Sequence, residues 1–168
     1  MPDFTKLFTA SKAQPTGFNG KTIFLADKFP VENGDILVAS IEKSNSDCRQ
    51  GFSIDITGHC EMNGELFKQG KGIRMVFWAD TAPEQIKLKI FTKQDFVRVY
   101  NVWEQTNYCL VRDAEGNPIE RSSKSVESGY NGAAMIVEEI ENGRRYSCND
   151  GTPDENFDDI VFTIQKLK

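Results

Sequence analysis

The sequence predicts an all-β protein, an antiparallel β-sandwich of which a jelly-roll-like arrangement is one form. Apolar and polar residues alternate with a period of two along most of the chain, which is typical of strands with one buried face. Asn-Gly dipeptides, which favour tight hairpin turns, separate several of these segments. No segment carries an apolar stripe of helical period over three turns. Short strands joined by tight turns favour the sandwich architecture.

Five strands follow from this alternation. In chain order they are residues 52–57, 73–78, 86–91, 97–104 and 160–165. Residues 1–20 are less patterned and are interpreted as an N-terminal tail or an edge strand. Residues 21–168 are predicted to form a single β-sandwich domain, since a chain of 168 residues suits one hydrophobic core.

Three Asn-Gly dipeptides predict turns, namely Asn33-Gly34, Asn63-Gly64 and Asn142-Gly143. A two-residue turn at Asn142-Gly143 would place Glu141 opposite Arg144, a favourable cross-strand charge pair. The second strand of that hairpin would then run to Cys148. Residues 114–118 are predicted to form a longer loop.

Composition and charge exclude several classes of function. Apolar residues make up 39% and charged residues 27% of the chain, as in ordinary globular proteins. The net charge of −5 disfavours binding to nucleic acid or to anionic lipid. No apolar segment is long enough to span a membrane, and no signal peptide is evident. We expect cytoplasmic synthesis, with leaderless export as an alternative.

The cysteines and the single histidine argue against several kinds of metal site and catalytic site. The four cysteines show no C-x-x-C spacing, which disfavours a zinc ribbon or a thioredoxin-type site. Cys109 lies in an apolar run, which favours a buried thiol. His59 is the only histidine and follows a glycine at a strand end, where a surface or turn position is expected. We therefore expect no enzymatic activity.

The segment 148–159 concentrates oxygen donors immediately before the last predicted strand. Ca²⁺ takes six to eight oxygen ligands, from carboxylates, amides, backbone carbonyls and water. Carboxylates this close repel one another unless a cation lies among them, so the segment predicts a Ca²⁺ site, with Phe157 as its apolar anchor. The alternative is a solvated acidic turn. The candidate metal ligands are Asn149, Asp150, Asp154, Asn156, Asp158 and Asp159.

Residues 150–159 resemble the C-terminal calcium loop of the bacterial calcium-mediated lectins that bind fucose and mannose. The likeness comprises an Asp-Gly-Thr start, alternating acidic or amide residues, an aromatic residue between them and a closing Asp. It implies calcium ions that contact sugar hydroxyls. It implies ligand roles for Asp154, Asn156, Asp158 and Asp159, with Asn149 in the place of an acidic ligand. The sequence departs from the family at Pro153 and at its Lys168 end.

Two further segments carry side chains that suit a sugar. Asn101, Trp103 and Glu104 combine an aromatic ring with amide and acidic groups near a strand end. Trp103 shares parity with Val97, so a core tryptophan is the alternative. Tyr130 and Asn131, between two glycines, predict a tight exposed loop that either contacts a ligand or simply turns the chain.

These features together predict a calcium-binding, carbohydrate-recognising β-sandwich, a lectin-like or carbohydrate-binding module. Its partner would be a glycan, and homo-oligomerisation would add avidity. One alternative is a membrane-active or cell-surface-binding protein of toxin or defence type, with Trp78, Trp103 and Tyr130 exposed at one end. Another is a glycosidase that uses a carboxylate pair, for which Glu104, Glu138 and Glu139 are available.

Overall fold

A computed structural model describes residues 2–152 and 154–168 and confirms the all-β fold class. Two antiparallel sheets pack against each other, and the hydrophobic core lies between them. The helix is α1 (Phe4–Ala10), and a single 3₁₀ turn spans Gly129–Asn131. The strands are β1 (Thr16–Phe18), β2 (Lys21–Phe24), β3 (Asp27–Pro30), β4 (Ile36–Ser44), β5 (Arg49–Ile56), β6 (Gly58–Met62), β7 (Glu65–Phe67), β8 (Ile73–Trp78), β9 (Ile86–Thr92), β10 (Phe96–Arg112), β11 (Pro118–Ser128), β12 (Ala134–Ile140), β13 (Gly143–Asn149) and β14 (Ile160–Lys166).

The larger sheet has nine strands in the order β1-β2-β12-β13-β14-β4-β9-β6-β7. The smaller sheet has the order β11-β10-β5-β8, and β3 pairs with the first residues of β10. Aromatic rings join the two sheets at the centre. Phe162 of the larger sheet stacks on Phe52 of the smaller one, with ring centroids 4.3 Å apart. Tyr146 stacks on the same Phe162 at 4.8 Å.

All five predicted strands are present. The alternation places Phe52, Ile54 and Ile56 in the core, as period-two patterning requires. The strand predicted at 97–104 is much longer in the structure, where β10 continues to Arg112. The turn at Asn63-Gly64 is confirmed, with φ of 54° and 77° between the paired residues Met62 and Glu65.

The predicted register of the β12–β13 hairpin was wrong by two residues. Ile140 pairs with Gly143, so the turn consists of Glu141 and Asn142, and Arg144 faces Glu139 instead of Glu141. Asn142 alone supplies the positive φ, 58°. Gly143 serves a different purpose, since a Cβ there would meet the Ile164 carbonyl oxygen of the adjacent strand β14. A shift of two residues preserves which face each side chain occupies.

The N-terminal segment combines an edge strand, β1, with a helix that the sequence did not predict. Helix α1 has only seven residues, too few to show a periodic stripe. It buries Phe4 and Phe8, which lie four residues apart on one face. These rings pack with Ile23, Leu25 and other residues in a second apolar cluster beside the main core. No described helix is long and apolar enough to cross a membrane.

Strands β10 and β11 extend together beyond the sandwich as a two-stranded ribbon, here called the arm (residues 105–125). Strand β5 pairs with β10 only as far as Glu104, so later residues pair with β11 alone. Every residue of the arm is exposed or partly exposed. Cys109 lies in the arm and is exposed, which corrects the expectation of a buried thiol. Asp113 closes the tip, accepting hydrogen bonds from the Glu115 and Asn117 amides.

Candidate functional site

The acidic segment joins β13 to β14 at one end of the sandwich and is here called the closing loop (residues 150–159, of which Pro153 lies outside the described residues). Phe157 anchors it, as predicted: its side chain is 4% exposed. The ring packs against Phe4 and Phe18, with centroids 5.6 Å and 6.5 Å away. Its φ of 53° turns the chain sharply before β14 begins.

Asn149, a predicted metal ligand, braces the loop from within. Its Nδ2 donates to the Asp154 carbonyl at 2.7 Å, and its Oδ1 accepts from the Phe157 amide at 3.0 Å. The Asn149 carbonyl in turn accepts from Nδ2 of Asn101 at 2.7 Å. Both Asn149 and Asn101 are buried, so two of the predicted site residues are supports beneath the surface.

Asp150 and Asp159 are buried neighbours at the base of the loop. Oδ2 of Asp150 accepts from the Ser46 hydroxyl at 2.6 Å and from Nε2 of Gln50 at 3.0 Å. Its Oδ1 accepts from the Thr152 amide at 2.8 Å. Oδ2 of Asp159 accepts from the Asp150 amide, also at 2.8 Å. These hydrogen bonds fix both carboxylates in place.

The charge at this base is crowded. Burial above all, together with the charges of Asp150, Asp154 and Asp158, raises the pKa of Asp159 to about 7 despite the opposing hydrogen bond from the Asp150 amide. A carboxyl group in this condition holds a proton close to neutral pH. A cation placed among these oxygens would favour the ionised form instead.

The remaining predicted ligands lie nearer the surface. Oδ1 of Asp154 accepts from the Asn156 amide at 2.8 Å, and Oδ2 of Asp158 accepts from Nδ2 of Asn45 at 2.9 Å. The Asn156 side chain is exposed. Within residues 2–152 and 154–168, no three His, Cys, Asp or Glu side chains are arranged as a metal-holding group. The calcium site stays a prediction.

Four carboxylates nevertheless line one open hollow of about 430 Å³, here called the acidic hollow. Asp47 is the member that sequence reasoning missed, although it lies in a polar run directly before β5. All the side chains that line the hollow are small and polar or carry a carboxylate or thiol. They are Ser44, Asn45, Ser46, Asp47, Cys48, Asp150, Thr152, Asp154 and Asp159.

A second concavity of about 500 Å³, here called the polar cleft, adjoins the acidic hollow and shares Asp47, Cys48, Asp150 and Thr152 with it. It contains charges of both signs. The Glu104 carboxylate lies 3.9 Å from Nη1 of Arg49 and 3.5 Å from Nζ of Lys124. Nε of Arg49 also pairs with Oδ1 of Asp80 at 2.9 Å. The cleft is lined by Asp47, Cys48, Arg49, Asp80, Trp103, Glu104, Gln105, Thr106, Lys124, Asp150, Gly151 and Thr152.

Gly151 is the point at which the three segments singled out from the sequence meet. A Cβ at this position would lie 3.1 Å from Cζ2 of Trp103 and 3.1 Å from the Asn131 carbonyl oxygen. Only a residue without a side chain fits comfortably between them. The closing loop, the β10 segment and the 3₁₀ turn therefore pack together at this end of the sandwich.

Trp103 forms the floor of this junction and is only 1% exposed. Its ring is therefore covered and does not provide the exposed surface for stacking on a sugar that the sequence predicted. Tyr130 is 47% exposed and lies beside the junction, where its carbonyl accepts from the Thr5 hydroxyl at 2.7 Å. Asn131 donates to Oε2 of Glu127 at 2.7 Å. Trp78 is covered on one face by the Arg49 guanidinium, 4.5 Å from the ring centroid. The proposed exposed cluster of Trp78, Trp103 and Tyr130 is therefore not formed.

Another concavity, of about 1,140 Å³, lies at the opposite ends of β5 and β10. His59 stacks on Phe91 there, with ring centroids 4.8 Å apart, and both residues line it. None of the predicted metal or sugar ligands takes part in it. Val31 and Phe91 are apolar lining residues, and polar or charged side chains such as Glu32, Lys71 and Asp95 line it as well.

Comparison with known proteins found no match: no family model, no curated protein and no solved structure matches the chain.

Proposed function

We propose that this protein is a calcium-binding β-sandwich that recognises carbohydrate through the polar cleft at the end of the sandwich. The observation that carries the proposal is the meeting of three sequence-selected segments at Gly151, beside two adjoining polar concavities. Loops and strand ends held by a rigid scaffold are common positions for binding residues.

The donors of the acidic hollow suit Ca²⁺ in their chemistry. Carboxylates from Asp47, Asp150, Asp154 and Asp159 would be the principal ligands, since all four line the hollow. A bound Ca²⁺ would offset the two effects that raise the pKa of Asp159, burial and the repulsion from neighbouring carboxylates. The ion would also fix the closing loop, which forms one wall of the polar cleft.

The polar cleft offers a sugar both kinds of hydrogen-bonding partner. Carboxylates of Asp80 and Glu104 accept from hydroxyl groups, while Arg49 and Lys124 donate to hydroxyl and ring oxygens. Gln105 supplies an amide that does both. Buried Trp103 keeps the floor of the cleft rigid, so recognition would rest on hydrogen bonding at the walls.

Calcium binding is tested by thermal unfolding with Ca²⁺ and with EDTA. A ligand that binds only the folded state stabilises it by mass action, so millimolar Ca²⁺ should raise the melting temperature. Asp154→Asn removes one of the four carboxylate charges and should reduce the rise. Glu65→Gln, an equal change of charge at an exposed site in β7, should retain it. An unchanged melting temperature in the wild type would refute the metal.

Carbohydrate recognition is tested on a glycan array with and without Ca²⁺. We expect the wild type and Glu65→Gln to bind a common set of glycans, and Glu104→Gln to lose them because a cleft carboxylate is replaced. Binding that persists in EDTA would separate the sugar site from the metal. No glycan bound in either condition would refute the carbohydrate part of the proposal.

A further inference from the structure

The arm presents an unpaired strand edge of unusual length. Past Glu104, β10 is hydrogen-bonded to β11 on one side, while β5 no longer covers the other. No strand of residues 2–152 or 154–168 pairs with β10 between Gln105 and Arg112 on that side. A two-stranded ribbon standing alone in water is only marginally stable.

The ladder identifies which backbone groups face this free edge. Arg112 is paired with Pro118, which has no N–H, so this is not a hydrogen-bonded pair. Hydrogen-bonded and non-hydrogen-bonded pairs alternate along an antiparallel ladder. The bond from the Asp113 amide to the Asn117 carbonyl, 2.9 Å, fits this alternation. The residues whose N–H and C=O point to the free edge are therefore Thr106, Tyr108, Leu110 and Arg112.

The free edge of β10 lacks the features that normally prevent strand addition. Edge strands are usually protected by charges, proline or bulges. The run from Gln105 to Val111 carries no charge and no proline, and its register shows no bulge. Tyr108 and Leu110 are 69% and 75% exposed. The outer strand β11, in contrast, begins with Pro118 and carries Glu120, Arg121, Lys124 and Glu127.

We propose that this edge pairs antiparallel with the same edge of a second copy of the chain, with Cys109 on the two-fold axis. In this register Thr106 faces Arg112 of the second copy, and Tyr108 faces its Leu110. Every edge N–H and C=O from Thr106 to Arg112 then has a partner. Exposed apolar side chains also become cross-strand neighbours.

Other registers satisfy fewer groups. A register with Tyr108 on the axis would require Arg112 to pair with Glu104, whose edge β5 already occupies through Arg49. A register with Leu110 on the axis would bring Thr106 opposite the turn of the second copy. A register shifted by one residue from the proposed one would pair Thr106, Tyr108, Leu110 and Arg112 with residues whose N–H and C=O groups point to β11 instead of the free edge.

Charge favours the same arrangement. The strand of the second copy would end beside Thr106, where β5 begins with Arg49 and where Lys124 faces Thr106 across the ladder. The tip that follows that strand carries Asp113 and Glu115. The acidic tip of each copy would therefore lie near the two cations of the other. The pairing requires neither Ca²⁺ nor a sugar, but Arg49, Thr106 and Lys124 also line the polar cleft, so a bound sugar and the second copy would compete for these residues.

Sedimentation velocity of the full chain, from about 1 µM to about 1 mM, tests association. We expect a concentration-dependent dimer. Tyr108→Pro removes an N–H that faces the free edge but none that bonds to β11, and it should weaken the dimer at least about tenfold. Ser122→Pro is the matched control, since Ser122 pairs with Tyr108 and its N–H faces the outer edge of β11. This control should leave association unchanged.

Cys109 supplies an independent readout. Cys60 and Cys148 are buried and Cys48 is partly buried, so a short bis-maleimide should join two copies through Cys109. Residues in a non-hydrogen-bonded pair have Cα atoms about 4.5 Å apart. Cys109→Ser should abolish the covalent dimer. Leu110→Lys, which adds an edge charge, should weaken association if Tyr108→Pro fails to fold.

Three results would overturn the proposal. The first is a chain that stays monomeric over the whole concentration range. The second is a dimer that survives both Tyr108→Pro and Leu110→Lys, and the third is a dimer that is lost in Ser122→Pro, because either would place the contact elsewhere.

Discussion

The closing loop and the arm leave the same end of the sandwich and border the same cleft, yet they are held in opposite ways. The described residues of the closing loop, 150–152 and 154–159, have no regular secondary structure. Phe157 and Asp159 are nevertheless buried within it, and side-chain hydrogen bonds fix its base. The arm has an uninterrupted ladder from Gln105 to Arg112, but its side chains remain exposed.

This contrast teaches that regular hydrogen bonding and tertiary anchoring are separate properties. Burial of apolar surface and satisfaction of buried polar groups determine how costly a segment is to open. By this criterion the irregular loop belongs to the stable part of the molecule. The arm belongs to the part that opens at low cost in the isolated chain.

Phe157→Ala should produce the largest effect. Removing a buried phenylalanine usually costs about 3–5 kcal/mol of unfolding free energy, because the cavity left behind fills only partly. The loss should appear in urea unfolding at neutral pH without Ca²⁺. A loss below about 1 kcal/mol would show that the contact with Phe4 and Phe18 does not anchor the loop.

Protonation of Asp159 should produce an intermediate effect that depends on pH. Its pKa of about 7 in the folded chain lies above the ordinary value of 3.8, so the folded state holds a proton that the unfolded state has released. This contribution to stability is full below pH 4 and is lost as pH rises to about 7. Its slope is at most about 1.4 kcal/mol per pH unit.

The measurement compares the wild type with Asp159→Asn in urea at several pH values. An asparagine retains an oxygen that can accept from the Asp150 amide, but it carries no titratable group. The difference in unfolding free energy between the two proteins should therefore change between pH 4 and 7 and be constant outside that range. A constant difference throughout would contradict the raised pKa.

Tyr108→Ala should have the smallest effect, within about 0.5 kcal/mol, since the removed ring is mostly exposed. It should be measured at a protein concentration where the chain is monomeric. The comparison with Phe157→Ala is direct, because each variant removes an aromatic ring, one from each region. Equal losses would mean that the arm is anchored as firmly as the loop.

The sandwich could be predicted from the sequence because alternating apolar and polar residues define the buried face of each strand. That face stays the same when the pairing of two strands shifts by two residues. The sequence could not predict the turn at Glu141-Asn142, since Gly143 is required by strand β14, a distant partner. Cys109 lies among apolar residues in the sequence, as a core residue would. It is exposed because β5 pairs with β10 only as far as Glu104, which the local sequence does not reveal.

The site was predictable to a similar extent. The oxygen-rich loop and its anchor Phe157 were recognisable from local composition alone. The contributions of Asp47, Arg49, Asp80 and Lys124 were not, because each reaches the cleft from a different part of the chain. Likewise, the burial of Asn149 and Asn101 depends on a hydrogen bond between residues 48 positions apart.

The contact of Phe4 with Phe157 has a consequence for the order of folding on the ribosome. Helix α1 is made before the strands of the sandwich, but the Phe157 ring, which completes its packing, is added more than 150 residues later. A seven-residue helix is unstable alone. It must therefore emerge unprotected and wait while the sandwich is synthesised, which makes its two phenylalanines a natural early target for a chaperone that captures apolar side chains.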